Sequence, residues 1–327
     1  MKILISGGSG FLGQRVAREL LKRGQINDAD GNPRSISELV LADIATPANG
    51  LTDCKVRYAI GDVSNPKFIA ETLSYDTGGI FHLAAVVSGA AEADFDLGMR
   101  VNLDGTRSLL EACRHLQKAP RFLFASSLAV YGGPLPEVVT DATTPTPQSS
   151  YGIQKLIGEL LVSDYSRKGF IDGRTVRLPT VSIRTGKPNA AASSFASGIL
   201  REPLNGEEAI CPVEPDADLW LISPRVAVEC LVHGFEVQSE KLGSIRSLNL
   251  PGITVSVREM VAALERIAGA ATAQRISWKP DEWIKAIVKS WPARFDTGRA
   301  DSLGFPHDEG GFDRIIAEYV SDAGIKR

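Results

Sequence analysis

The opening stretch Lys2-Ile3-Leu4-Ile5-Ser6 runs straight into Gly7-Gly8-Ser9-Gly10-Phe11-Leu12-Gly13, and nothing else in the chain restricts the fold as tightly. A short apolar run bounded by glycine is the pattern of a strand buried on both faces. Gln14 to Arg23 follows with Val16, Ala17, Leu20 and Leu21 at helical spacing, so the unit reads strand, glycine turn, helix. Gly7 permits the tight turn, Gly10 lets backbone amides approach a pyrophosphate, and Gly13 lets helix and strand pack closely. The helix N-terminus adds partial positive charge for the phosphates. Strand-helix alternation continues downstream, which predicts an α/β chain with right-handed crossovers and a doubly wound parallel sheet.

Residues 25–35 are polar, contain Asn32-Pro33, and read as a loop that lengthens the first crossover. Residues 38–44 read as the second strand, with Asp43 at its end, where a carboxylate hydrogen-bonds ribose hydroxyls and repels a 2′-phosphate. The separation from Gly13 exceeds the usual ~20 residues, and the loop accounts for the excess. Asp28 and Asp30 fit the distance better but sit in turn-like sequence. No arginine follows Asp43 directly, so NAD is expected over NADP. Residues 56–60 read as a third strand, with Asp62 beyond it to accept from an adenine amino group and Val63 to flank the ring. A short helix is expected over 66–73. Residues 79–85 form a fourth strand running into small residues, so that a cofactor lies close over Leu83, Ala84 and Ala85. His82 within it reads as a packed core residue. Residues 99–116 read as one long amphipathic helix, in which Asn102, counted among the cofactor-binding candidates, is either a buried hydrogen-bonding brace or an exposed polar group.

Residues 121–127 form a fifth strand ending in Ser126-Ser127, and ligands bind outside the carboxyl ends of such strands. A Pro/Thr/Ser-rich loop over 141–150 leads to Tyr151-Gly152-Ile153-Gln154-Lys155. Residues four apart share a helix face, so the Tyr151 phenol and the Lys155 ammonium point the same way. An adjacent ammonium favours phenolate, which predicts a lowered Tyr151 pKa and a general base near neutral pH. A further strand is expected over 176–178. Beyond Pro179 the alternation fades, so the chain divides into a cofactor-binding domain, 1–178, and a smaller substrate-binding region, 179–327, some of whose segments return to the first.

Composition bounds the partners. A 327-residue chain with 43% hydrophobic and 23% charged residues is long enough for a sizeable core and ordinary for a soluble protein. A net charge of −3 offers no basic field for nucleic acid. Cys54, Cys113, Cys211 and Cys230 lack the paired spacing of a metal site and read as small buried hydrophobes in a reducing compartment, so no metal is expected and the location reads as cytoplasmic. No apolar run reaches membrane-spanning length.

Taken together, Gly7 to Gly13, Gly61-Asp62-Val63, His82-Leu83-Ala84-Ala85, Ser126 to Gly132 and Tyr151 to Lys155 resemble the extended short-chain dehydrogenase/reductase family, whose first domain is a Rossmann fold. The resemblance implies NAD as cofactor, Ser127 as the hydroxyl that orients the substrate, Tyr151 as acid/base, and Lys155 as its electrostatic partner and ribose ligand. It places Pro179-Thr180 against the nicotinamide, and it makes the helices at 99–116 and 151–167 a four-helix homodimer interface. Blocks in the second half, among them Arg177 to Thr180, Gly186 to Phe195 and Leu248 to Gly252, resemble the branch that oxidises the C2 hydroxyl of D-erythronate, a four-carbon sugar acid. A carboxylate substrate needs a counter-charge or amide donors. Arg184, Lys187, Asn189 and Arg225 are the candidates, with Ser88 and Thr180 as hydroxyl partners and Asn189 ranked first. The alternatives are an NAD-dependent epimerase of a nucleotide-sugar, which uses the same Ser-Tyr-Lys set, and a dinucleotide-binding scaffold without turnover. A dehydratase is disfavoured because Leu128-Ala129 stands where that chemistry uses an acidic pair.

Overall fold

The computed structural model describes residues 1–186 and 191–325. Among them, seven parallel strands form one sheet: β1 (Lys2–Ser6), β2 (Glu38–Asp43), β3 (Val56–Ile60), β4 (Thr77–His82), β5 (Arg121–Ser127), β6 (Asp172–Leu178) and β7 (Ser247–Asn249). Their spatial order is β7-β6-β5-β4-β1-β2-β3. The order reverses between β1 and β4, which is where an open parallel sheet leaves a crevice at its carboxyl edge.

Alternation along β1 sets the layers. Ile3 and Ile5 face one side and join Val16, Leu20, Leu231 and Phe235, while Leu4 faces the other with Leu109, Leu110, Phe122 and Phe124. Helices Phe11–Arg23 and Pro224–Glu236 cover the first face, and Pro66–Thr72, Gly105–Arg114 and Ser150–Arg167 the second. The chain leaves this sheet at Leu178 and, from Thr180–Val181, enters a small sheet with Asp218–Ile222 and Ile253–Ser256. Ile199, Leu200, Leu221, Met260, Leu264 and Ile316 pack there as a second core. The Pro224–Glu236 helix and β7 then return to the large sheet.

Three local readings need correction. Residues 25–35 are not a plain loop but a small antiparallel hairpin, Gln25–Asn27 against Pro33–Ser35. Its turn is closed by Asp28, which accepts from the amides of Asp30 (3.1 Å) and Asn32 (3.0 Å) and from Arg34 (2.6 Å). The fourth strand stops at His82, and residues 83–87 cross the carboxyl edge as loop. The expected helix over 99–116 opens as a π-helix, Met99–Asp104, and turns α only at Gly105–Arg114. The wide turn directs Asn102 inward, where it bonds Val86 through both backbone groups (2.8 and 3.0 Å) and reaches Gln154 Oε1 at 2.7 Å. Asn102 is 2% exposed, so of the two readings it is the brace.

Candidate active site

A cleft of about 300 Å³ opens at the carboxyl ends of β1, β4, β5 and β6. One end is the glycine turn. Gly7 has φ 71°, and a Cβ there would stand 2.8 Å from the Ala84 amide. A Cβ on Gly13 would meet the Gly7 carbonyl at 2.2 Å, so the helix can pack this closely only without a side chain. The Phe11–Arg23 helix starts with no side-chain cap and no acidic residue in its first turn, leaving its positive end to an anion. Asp43 Oδ2 accepts from the Ser9 amide at 2.9 Å, so the carboxylate hangs over the same turn, and the buried Ser9 Oγ there has no partner. Gly10, Phe11, Leu12, Leu83 and Ala85 line the cleft beside it.

This arrangement suits NAD: pyrophosphate on the glycine turn and helix end, ribose hydroxyls on Asp43. Asp62 lies at the end of β3, its Oδ1 taken by the Ser64 amide (2.8 Å) and hydroxyl (2.7 Å). Val63 is 4% exposed and packs inward against the Gly105 turn.

The middle of the cleft brings Ser127, Tyr151 and Lys155 together. Strand alternation separates the two serines: Ser126 is buried and donates to Glu159 Oε1 at 2.6 Å, whereas Ser127 faces the cleft and accepts from the Ala129 amide at 3.1 Å. Ser149 caps the Ser150–Arg167 helix by accepting from Gly152, which fixes where Tyr151 and Lys155 emerge. Lys155 Nζ donates to the Ala125 carbonyl at 2.8 Å and lies 4.7 Å from the Phe124 ring centre and 5.7 Å from that of Tyr151.

The electrostatics correct the expected sign. Burial pushes the Tyr151 phenol up to about 12, with the Ser127 hydroxyl and the Arg184 guanidinium pulling the other way. Burial also draws Lys155 down to about 8, opposed by Glu159 one turn along the helix. Glu159 is itself held by Arg177 through contacts of 2.7 to 3.2 Å. Desolvation of Tyr151 outweighs the Ser127 hydrogen bond and the Arg184 charge together.

At the far end lie Ser88, Pro179, Thr180 and Arg184. Ser88 Oγ accepts from the Ala192 amide at 3.2 Å and so ties the two layers together across the cleft. Arg184 is half-buried and, among the described residues, has no carboxylate partner; burial and nearby Arg201 both lower its pKa. Asn189 and Lys187 lie outside the described residues. Arg225 does not reach the cleft. It is engaged by Glu318 (3.0 Å) and Glu229 (3.1 Å) beside a separate small hollow, because its i,i+4 neighbour on the Pro224–Glu236 helix is an acid. The sequence reading missed Trp291, Ser193 and Val87, which also line the cleft. Val87 and Ser193 lie close to residues already singled out, but no local pattern marks Trp291, nearly a hundred residues beyond the rest.

Among relatives of established name, the chain is 57% identical over 327 residues, all of both proteins, to the D-erythronate dehydrogenase of Cupriavidus necator. It is 46% identical over 320 residues to that of Haemophilus influenzae, covering 98% of this chain and 99% of the other. The fold matches a crystal structure described as the nucleoside-diphosphate-sugar epimerase from Agrobacterium tumefaciens with a TM-score of 0.90 at 42% identity, over 100% of this chain and 95% of that one. The sequence model for the NAD dependent epimerase/dehydratase family covers residues 3–215. The chain therefore belongs to the NAD dependent epimerase/dehydratase family of the extended short-chain dehydrogenase/reductases.

Proposed function

We propose that the chain is an NAD-dependent dehydrogenase that oxidises the C2 hydroxyl of D-erythronate to the 2-oxo acid. One observation carries the reading: the described cleft lining holds Ser127, Tyr151 and Lys155, its charged members are Lys155 and Arg184, and no carboxylate faces in. A site of that charge favours an anionic substrate. The names of the two long relatives supply the particular acid.

When bound, NAD supplies the acceptor for the hydride leaving C2. Ser127 donates to the C2 oxygen and holds it toward Tyr151. Tyr151, as phenolate, takes the hydroxyl proton as C2–H is lost, so one proton and one hydride leave the alcohol together. Lys155, anchored on the Ala125 carbonyl, binds the nicotinamide ribose and favours the phenolate as it forms. Arg184 grips the substrate carboxylate, with Ser88 and Thr180 bonding the remaining hydroxyls. The cofactor contacts are those of Gly7, Gly10, Phe11, Leu12, Asp43, Asp62, Leu83, Ala84, Ala85 and Pro179. The reading includes a cytoplasmic homodimer; the described cysteines carry no disulfide, and the helix at Ser150–Arg167 leaves Ile153 and Leu160 exposed.

The test is direct. Purified protein with added NAD and D-erythronate accumulates NADH stoichiometric with 2-oxo acid. The second reading, nucleotide-sugar epimerase, is favoured by the Agrobacterium structure's description and predicts the opposite: tightly retained cofactor and no net change at the nicotinamide absorbance band. Net reduction of NAD by the acid excludes it.

A further inference from the structure

We propose that Trp291 closes the substrate end of the cleft and sets the length of acid that the enzyme accepts, an inference that rests on the reading above of an acid-oxidising site. Of the four tryptophans, Trp278 and Trp283 are exposed and Trp220 is in the core, whereas Trp291 lines the cleft with Ser193 and Arg184. It is on the substrate side. The Glu282–Lys289 helix that precedes it packs on Ala192–Ser194, the segment bonded to Ser88.

The backbone that carries this indole is held from both flanks, and the side chain packs against the second core. On one side the helix is capped by Asp281, which accepts from Ile284 at 3.0 Å, and the Trp291 amide bonds the Val288 carbonyl at 3.1 Å. On the other, Thr254 donates to the Ala293 carbonyl at 2.7 Å. The Val139 amide bonds the Arg294 carbonyl (2.9 Å), and the Asp296 amide returns to the Val139 carbonyl (2.8 Å). Phe295 then packs edge-on against Tyr131 and tilted against Trp220. The segment is a strap from the second core onto the loop before the Tyr151 helix, and its first residue is a flat, rigid wall. A cleft of about 300 Å³ is at the small end of ligand sites. Part of it belongs to the cofactor, so the wall leaves space for a short acid and rejects added carbons by overlap.

The test reads size preference from binding and turnover separately. Wild type and Trp291→Ala are titrated calorimetrically with four-, five- and six-carbon aldonates in the presence of NADH, and turnover with NAD is measured on the same set. Wild type is expected to bind the six-carbon acid at least tenfold more weakly than the four-carbon acid, since each extra methylene-sized group against a fixed wall is worth roughly 10-fold or more. Trp291→Ala narrows that gap to threefold or less, with NAD affinity unchanged and Trp291→Phe intermediate. A six- to four-carbon ratio equal in wild type and Trp291→Ala overturns the proposal. If the truncated variant does not fold, Trp291→Phe decides alone, and an unshifted ratio in it counts against the wall. Acids that bind with this size preference but are never oxidised overturn the proposed reaction while upholding Trp291; oxidation with an unaltered preference does the reverse.

Discussion

At the position of Tyr151 two effects compete, and burial wins: the phenol stands at about 12 before any substrate or cofactor contributes. Oxidation should therefore accelerate as pH rises toward about 8, because the proposed base is the deprotonated phenol, and gain less beyond it, where Lys155 sheds the charge that favours phenolate. Tyr151→Phe should lose about 10²–10⁴ in kcat, the usual worth of a positioned acid/base, while NAD affinity by fluorescence titration changes less than threefold. Near-normal turnover in that variant would remove Tyr151 from the chemistry. Lys155 offers a stability test. Its folded pKa of about 8 lies below the ordinary 10.5, so between those values the unfolded chain holds a proton that the folded chain has released. Its contribution to stability thus rises as pH climbs from about 8 to 10.5. Relative to wild type, Lys155→Met should lose on the order of 1–3 kcal/mol across that window, read by urea unfolding at both ends. A pH-independent difference would contradict the assignment. Arg184 and Arg225 form a matched pair: Arg184→Ala should raise KM for the acid about 30-fold or more, the worth of a charge-assisted hydrogen bond. Arg225→Ala should leave it within twofold.

Among the elements, the glycine turn is the most demanding. Gly13→Ala sets a methyl 2.2 Å from the Gly7 carbonyl, a backbone atom that cannot rotate away. The substitution should cost about 1–3 kcal/mol in overpacking and weaken NAD binding more than it alters KM for the acid; thermal melts with and without NAD separate the two effects. The glycine spacing, the strand ends at Asp43 and Ser127 and the Tyr-Lys pair were all legible because each is a local pattern with one geometry. The π-helix at Met99–Asp104 was not, since the Asn102 bonds that accompany it reach the Val86 loop and Gln154, both distant in sequence. The hairpin at 25–35 was missed for a related reason: a three-residue strand has too few alternations to show its period.

For the whole molecule, the two layers meet over the cleft, and Ser88 with Ala192 marks one of the seams. The exposed apolar pair Ile153 (47%) and Leu160 (63%) is two turns apart on one helix, and a second copy of that face is the partner the dimer reading gives it. Ile153→Glu with Leu160→Glu should convert a dimer to a monomer by light scattering, with the melting temperature of the remaining fold within a few degrees. A parent that already runs as a monomer would refute the interface.

Local order was decided by the chain itself: which runs are strands, where glycine must stand, and which phenol and ammonium share a helix face. These follow from periods of two and 3.6 residues and from steric limits that operate within a few residues. Tertiary structure alone decided the environment. Burial reversed the expected shift of Tyr151, an i,i+4 acid and Glu318 took Arg225 out of use, and a strap from the second core brought Trp291 to the cleft. Solvation and long-range contact depend on what the rest of the fold places around a side chain, and no window of sequence contains that information.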